Sequence, residues 1–159
     1  MSTHALDRID RKILHALMQD STLSVALLAE RVGLTQTPCW KRVQKLEAAG
    51  VITGRVALVA PERIGLGLTV FAEIEAADHT PAWREAFAAL LAEYPQIVEV
   101  HRMAGEVDYL LKIVVTDMDA YDAFYLDLTR RVPCRNVTSK FSMERMKATT
   151  ALPIDTTTP

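Results

Sequence analysis

The apolar positions in the first fifty residues recur with a helical period in three successive segments. In the first segment the apolar face is formed by Leu6, Ile9, Ile13, Leu14 and Leu17. A second helix is predicted to start after Ser24, a good N-cap, and to stop at Gly33, which adopts positive φ without strain. A third helix follows, with Pro38 in its first turn and Gly50 at its end. Two short helices joined by a tight turn are typical of a helix-turn-helix, whose second helix enters the DNA major groove.

After residue 50 the pattern changes from a helical period to alternation. Residues 51–59 predict a short β segment, either a wing or one arm of a hairpin, and PERIGLG at 61–67 predicts a linker. Further strands are predicted at 68–75, 97–103, 109–115 and 136–147, and helices at 81–94 and from 117 to Pro133. The order β-α-β-β-α-β predicts a ferredoxin-like sandwich with helices on one face of an antiparallel sheet.

These patterns give an α+β fold class with two domains. The predicted divisions are a winged helix-turn-helix domain at 1–60, a linker at 61–67, a βαββαβ domain at 68–153 and an unstructured tail at 154–159. One face of such a sheet has no helices against it. Apolar surface on both faces of the sheet is expected to come from residues that share it between them, such as Val70, Ala72, Ile74, Val98, Val100 and Ile113. A bare apolar face of that size predicts a partner.

The charge of the chain is unevenly distributed. The net charge is −2, but residues 1–55 contain eight Lys and Arg against five Asp and Glu, whereas residues 56–159 contain ten against fifteen. The basic part therefore coincides with the predicted helix-turn-helix, and phosphates respond to a local patch more than to the total. No apolar run approaches the ~20 residues of a membrane span. The two cysteines, Cys39 and Cys134, have no metal-ligand spacing and predict reduced thiols in a cytoplasmic protein.

The third helix has no acid between Thr35 and Leu46. Its predicted DNA contacts are Gln36, Thr37, Lys41, Arg42 and Lys45, because Lys and Arg neutralise phosphates or pair with guanine and Gln can read adenine. The plainer alternative is a solvated basic helix face. Arg42 could instead anchor the helix to its own domain, Trp40 is interpreted as a packing residue, and Arg55 could contact phosphate or simply lie at the surface.

With these segments in order, the chain resembles the leucine-responsive regulator/asparagine regulator (Lrp/AsnC, feast/famine) family of transcription factors. LDRIDRKIL and LAERVGLTQTPCWKRVQKLEAAGVI resemble the DNA-binding domain, GEVDYLLKIVVTDMDAY the effector-binding centre and KFSMERMKATTALPI the closing strand, over about residues 6–153. The resemblance implies dimers paired through their sheets, further assembly to octamers, and a small effector, usually an amino acid. Family members usually have Pro-Gly after the last helix and one residue more before the final strand, whereas this chain has the shorter turn Pro133-Cys134-Arg135-Asn136. This departure puts the neighbouring effector contacts in question.

The turn before the predicted strand at 109–115 resembles the effector loop of that family. The candidate effector-binding residues are Gly105, Glu106, Asp108 and Tyr109, with Thr138 and Ser139 on the last strand. An amino acid needs a carboxylate for its ammonium group, for which Asp108 is the candidate, and donors for its carboxylate, which backbone N–H groups near Gly105 can supply. The alternative is that Gly105 and Asp108 merely shape a β-turn.

Two other functions remain open from the sequence. Some relatives on this two-domain plan are tetrapyrrole (sirohaem-type) decarboxylases that use histidines of the sandwich domain, but His101 has no histidine near it in sequence. A DNA-architectural protein that binds weakly and without sequence preference is the other alternative. The leading prediction is a sequence-specific, effector-responsive DNA-binding regulator that is not an enzyme and needs no metal or cofactor.

Overall fold

The computed structural model describes residues 5–157, which divide into two compact units. The first unit comprises the chain up to Ala57 together with the segment from Met146 onward, and the second comprises Leu58–Arg145. The first four residues of the predicted DNA-binding domain and the last two of the predicted tail lie outside the described residues.

Three α-helices form the described part of the first unit: α1 (Arg8–Gln19), α2 (Val25–Val32) and α3 (Gln36–Ala48). Asp7 caps α1 in a capping box: its carboxylate accepts the Asp10 N–H at 2.8 Å, and the Asp10 carboxylate accepts the Asp7 N–H at 3.4 Å. Ser24 caps α2, which ends at Gly33 with φ of +76°. The positive φ lets the chain turn sharply into α3, as predicted from the glycine.

The helices enclose one small hydrophobic core. It is built mainly from Ile13, Leu28, Val32, Cys39, Val43 and Leu46, all of which are buried. Cys39, Val43 and Leu46 supply the inward face of α3, so the opposite face of that helix remains available at the surface.

The final segment of the chain packs onto this unit, although its composition predicts no fixed structure. Ile154 contacts the helical core, the Leu152 N–H donates to the Met18 Sδ at 3.4 Å, and the Arg11 guanidinium donates to the Asp155 carbonyl at 3.4 Å. One apolar side chain and two backbone groups thus hold this stretch against the helices.

Replacing Ile154 with alanine is expected to loosen the first unit by about 1–2 kcal/mol, since half-buried Ile154 gives only part of the loss seen for a core isoleucine. Amide hydrogen exchange of the α1 peptides in the full chain measures this directly. Leu152→Ala is the matched control, because the Leu152 side chain is 71% exposed and should contribute little. Equal exchange rates in α1 for both variants and the unmodified protein would contradict the packing role.

The second unit confirms the predicted βαββαβ order. Its elements are β1 (Leu68–Ala76), α4 (Pro81–Glu93), β2 (Ile97–Arg102), β3 (Tyr109–Val115), α5 (Met118–Arg131) and β4 (Cys134–Phe141). The strands form an antiparallel sheet in the order β2-β3-β1-β4. Thr80 and Asp117 cap the two helices through their side chains, and Pro81 occupies the first turn of α4.

The core of the second unit lies between the sheet and its two helices. Fully buried sheet residues include Val70, Ala72, Ile74, Leu111 and Ile113, and they pack against Trp83, Phe87, Leu90, Phe124 and Leu128. The expected division of the apolar residues between the two faces does not include Val70, Ala72, Ile74 and Ile113, because alternation places all four on the helix side.

The open face of the sheet is instead largely polar. The Lys112 ammonium pairs with Glu99 at 2.7 Å, Lys140 pairs with Glu73, and the Asn136 amide donates to Glu75 at 3.1 Å. Any partner that covers this face meets paired charges more than bare apolar surface.

Two strand predictions are corrected. Residues 51–59 form no strand, because no other described segment pairs with them, and Val56 and Leu58 are exposed at 78% and 74%. The last strand covers Cys134–Phe141 rather than 136–147. It ends there because Phe141 pairs with Val70 near the start of β1, beyond which little of β1 remains to pair with.

Candidate DNA-binding and effector-binding sites

Four of the five residues predicted to contact DNA are exposed on α3 and form no salt bridge among residues 5–157. Thr37, Lys41 and Lys45 are exposed on the side opposite the buried residues of the helix, and Gln36 is exposed at its first position. Among residues 5–157 no carboxylate forms a salt bridge with Lys41 or Lys45. The face therefore offers two cationic side chains, with an amide and a hydroxyl at its N-terminal end, which is the chemistry required for phosphate and base-edge contacts.

Arg42 differs from the other four. Its Nη1 lies 2.6 Å from an Asp7 oxygen and 2.7 Å from an Asp10 oxygen, and the Asp10 side chain is only 6% exposed. These hydrogen bonds raise the pKa of Arg42, and the backbone N–H of Asp10, with Arg42 next, lowers the pKa of Asp7. Arg42 thus ties α3 to the N-terminus of α1, which is the anchoring arrangement that the sequence left open.

Two neighbouring residues also have defined places. Arg55 pairs with Glu47 at 2.9 Å and so connects the segment after α3 back to that helix. Trp40 is not the packing residue that the sequence suggested, since its side chain is 50% exposed on α3. The apolar period of α3 could not show this, because Trp40 lies on the flank between its buried and exposed faces.

The predicted effector loop joins β2 to β3. It is closed by the Met103 N–H donating to the Asp108 carbonyl at 2.8 Å, and the Asp108 N–H donates to the Ile74 carbonyl on β1 at 2.9 Å. Gly105 has φ of +132°, a conformation that side chains strongly disfavour, while the space around it is open. Glycine is thus required here by backbone conformation and leaves the loop accessible.

Asp108 uses one carboxylate oxygen within the protein and leaves the other near the surface. Oδ2 accepts the Ala76 N–H at 2.8 Å, where β1 ends, and Oδ1 lies 3.7 Å from the His79 Nε2. His79 was not among the candidates from sequence, since it lies 29 residues away and no motif connects the two. Glu106 is exposed at the tip of the same loop.

The remaining candidate effector residues are dispersed. The Tyr109 ring packs into the helix-side core, with centroids 5.6 Å from Trp83 and 4.7 Å from Phe87. Ser139 faces the same core, where its Oγ lies 2.5 Å from the Tyr121 hydroxyl, and Thr138 faces the open side of the sheet. Ser139 pairs with Ala72 on β1, whereas Asp108 bonds to Ala76 at the end of that strand. Four residues of strand separate Ala72 from Ala76, which is ~13 Å. The structure therefore brings together Gly105, Glu106 and Asp108 but neither Thr138 nor Ser139.

Comparison with known proteins agrees with this two-unit architecture. A family model described as Lrp/AsnC ligand binding domain matches residues 69–152, and one described as winged helix-turn-helix DNA-binding matches residues 6–53. The DNA-binding transcriptional activator DecR of Escherichia coli (strain K12) is 51% identical over 151 residues, covering 94% of this chain and 99% of its own length. The chain belongs to the Lrp/AsnC family. It matches both the DNA-binding part and the ligand-binding part that the two family models describe.

Solved structures of the family have the same fold. An AsnC family transcriptional regulator from Agrobacterium tumefaciens is 51% identical, with a TM-score of 0.88 over 93% of this chain and 97% of its own. A transcriptional regulator from Neisseria meningitidis in complex with L-methionine is 37% identical, with a TM-score of 0.89 over 94% of this chain and 97% of its own.

Hydrogen bonds hold the turn at Pro133-Cys134, in which this chain departs from the family pattern. The Pro133 carbonyl accepts the Trp83 indole N–H at 2.6 Å and the Ala77 N–H at 3.2 Å. Cys134 pairs with Ala76, next to a register shift in β1, and burial raises the pKa of its thiol. The turn and Asp108 both hydrogen-bond to the backbone at the end of β1, at Ala77 and Ala76 respectively. The shortened turn therefore adjoins the candidate effector loop.

Other site types have no counterpart among the described residues. His101 is exposed on β2 with Glu99 at 3.6 Å, and no group of three or more metal-ligating side chains occurs in residues 5–157. Within the same residues no helix has the length and apolar character needed to cross a membrane.

Proposed function

We propose that this protein is a sequence-specific transcriptional regulator whose binding to double-stranded DNA responds to an amino acid. The observation that carries the proposal is the exposed basic face of α3, where no carboxylate among residues 5–157 pairs with Lys41 or Lys45. The same chain matches the ligand-binding domain of its family over residues 69–152. The Neisseria relative bound to L-methionine supports an amino-acid effector. The names of the relatives, all transcriptional regulators, support a role without catalysis.

In the DNA-binding role, Gln36 and Thr37 at the start of α3 contact base edges, and Lys41 and Lys45 neutralise phosphates. Arg42 acts indirectly by holding α3 against Asp7 and Asp10. Two copies of the helix, presented by a dimer, would read half-sites about one turn of DNA apart.

In the effector-binding role, Asp108 Oδ1 accepts the ammonium group of the amino acid, and backbone N–H groups around Gly105 donate to its carboxylate. Glu106 lies at the entrance of this loop. Tyr109 anchors the loop to the core beside Trp83 and Phe87. Ser139 lies further along the sheet and takes no direct part in this contact, and Thr138 lies on the opposite sheet face, toward a second subunit in a sheet-to-sheet dimer.

The assembly and boundaries complete the proposal. A homodimer through the open sheet faces, assembling further to an octamer, matches the family plan. The working divisions are residues 1–60 for DNA binding, 61–67 for the linker and 68–153 for effector binding and assembly. Because its targets would be promoters of a chromosome, and the relatives are bacterial, the protein would act in the cytoplasm.

Asp108→Asn is expected to abolish effector binding while leaving the fold intact. The asparagine retains an oxygen that can accept the Ala76 N–H but lacks the charge that an ammonium group requires. The measurement is a thermal-shift screen of the twenty amino acids against the unmodified protein and the variant. A ligand at a hundred times its Kd stabilises the protein by about 2.7 kcal/mol, which such a screen resolves.

Asp108→Ala is the companion variant, because it removes both the charge and the acceptor for Ala76. It should lower the melting temperature even without ligand, whereas Asp108→Asn should not. A ligand that stabilises Asp108→Asn as strongly as the unmodified protein would refute the ammonium contact. A complete absence of stabilising amino acids would refute the amino-acid effector and leave the DNA-binding part of the proposal in place.

A further inference from the structure

The two tryptophans of the chain are in opposite environments. Trp83 is 4% exposed and stacks with neighbouring rings, whereas Trp40 is 50% exposed in the middle of α3. We propose that Trp40 is a sequence-reading residue that packs its indole against thymine methyl groups in the major groove. The proposal rests on the placement of α3 in that groove described above.

Helix geometry puts Trp40 at the edge of the predicted DNA face. Residues three and four apart are neighbours on a helix surface, so Trp40 lies beside Gln36 and Thr37 toward the start of α3 and beside Val43 and Gln44 toward its end. The three polar neighbours are exposed, while Cys39 and Val43 point into the core. An indole at this position is carried toward the same surface as the polar residues proposed to contact bases.

No aromatic ring among residues 5–157 stacks on Trp40, in contrast to Trp83. A single exposed apolar residue does not by itself require a partner, but tryptophan is enriched at interfaces because its ring supplies a large apolar contact. The position of Trp40 beside the polar and cationic residues of α3 therefore matters more than its exposure. The charge around it selects the partner, since Lys41 adjoins it and Lys45 lies one turn further. The acid nearest on this side, Glu47, already pairs with Arg55 and accepts the Gln44 amide. A polyanionic duplex therefore fits this surface better than an acidic or neutral protein.

The major groove offers an apolar group that matches an indole. Its base edges present hydrogen-bond donors and acceptors, and thymine alone adds a C5-methyl group. The polar residues at the start of α3 can read the donors and acceptors. Among them only Thr37 carries a methyl group that could touch a thymine methyl, and that contact is much smaller than the one an indole ring offers. Covering one methyl group is expected to improve binding about fourfold.

The test uses a duplex selected by the unmodified protein from a random-sequence library. Each thymine in that duplex is replaced singly by deoxyuridine, which removes the methyl group and preserves base pairing, and affinity is measured by fluorescence anisotropy. We expect one or two positions per half-site at which the unmodified protein loses about fourfold and Trp40→Ala loses nothing. Trp40→Phe, which keeps an apolar ring, should retain part of the preference.

Lys41→Ala separates this inference from the function on which it rests. That variant should bind every duplex more weakly while keeping the loss at the same thymines. The role of Trp40 is overturned if no deoxyuridine substitution lowers the affinity of the unmodified protein, or if Trp40→Ala loses affinity at the same thymines as the unmodified protein. Binding through α3 would stand in either case. Failure of Lys41→Ala to weaken binding overturns the placement of α3 itself. Tryptophan emission is an independent check. In Trp40→Phe only the buried Trp83 remains, so its emission reports whether the variant is folded. Adding the selected duplex should change the emission of the unmodified protein but not that of Trp40→Phe.

Discussion

Replacement of Asp10 by alanine should destabilise the first unit by about 2–3 kcal/mol, a large share of the stability of a small domain. Asp10 is 4% exposed, accepts a hydrogen bond from Arg42 at 2.7 Å and closes the capping box with Asp7. Its loss removes the acceptor for the Asp7 N–H in the capping box and leaves the half-buried Arg42 guanidinium with only the more exposed Asp7. The figure is below the 3–5 kcal/mol typical of a fully buried pair, because the Arg42 side chain is 34% exposed.

Urea unfolding of the full chain, with hydrogen exchange of α1 and α3 to locate the effect, measures this change. Glu47→Ala is the control, since its pair with Arg55 lies at the surface with side chains 36% and 43% exposed and should contribute less than about 1 kcal/mol. Asp10→Asn should fall between the two, because it keeps an acceptor but not the charge. Similar losses for Asp10→Ala and Glu47→Ala would mean that the Arg42 cluster does not hold α3 in place.

Lys41→Ala should weaken binding to all duplexes, with roughly a fivefold loss at 0.15 M salt for each recognition helix engaged. Lys41 lies near the centre of the exposed face of α3 and has no carboxylate partner among residues 5–157, so its charge is available to phosphate. The plot of log affinity against log salt should flatten by about 0.9 per helix, since one fewer counterion is released. Anisotropy titrations at several salt concentrations provide both quantities.

Lys140→Ala is the matched control for this loss of charge. It removes one lysine from the second unit, where Lys140 pairs with Glu73 on the sheet, and should leave the slope unchanged. An unaltered slope in Lys41→Ala, or an equal change in both variants, would show that general charge rather than α3 governs binding.

The order of elements could be predicted because each segment shows its own period. Ile13 in α1 and the alternating Val70, Ala72 and Ile74 in β1 are all fully buried, so the apolar pattern and the core coincide. The predicted β segment at 51–59 failed for a physical reason: a strand needs a hydrogen-bonding partner, and the chain does not supply one among its described residues. Alternating apolar residues alone do not reveal whether such a partner exists.

The candidate sites were only partly predictable. The exposure of Lys41 follows from its position opposite Val43 and Leu46 on α3, which the sequence contains. The Arg42 pair with Asp7 and Asp10, and the Asp108 bond to the Ala76 N–H, join residues more than thirty positions apart. Such contacts depend on how whole elements pack, so the sequence could offer the anchoring role of Arg42 only as one of two alternatives.

The central claim is that amino-acid binding at the loop before β3 changes the affinity of α3 for its DNA site. The most direct test is an anisotropy titration of the library-selected duplex, with and without the amino acid that stabilises the protein, for the unmodified chain and for Asp108→Asn. We predict a shift in DNA affinity of about 5- to 150-fold for the unmodified protein, in either direction, and none for the variant. An amino acid that stabilises the protein yet leaves its DNA affinity unchanged, or that shifts both proteins equally, would contradict the claim.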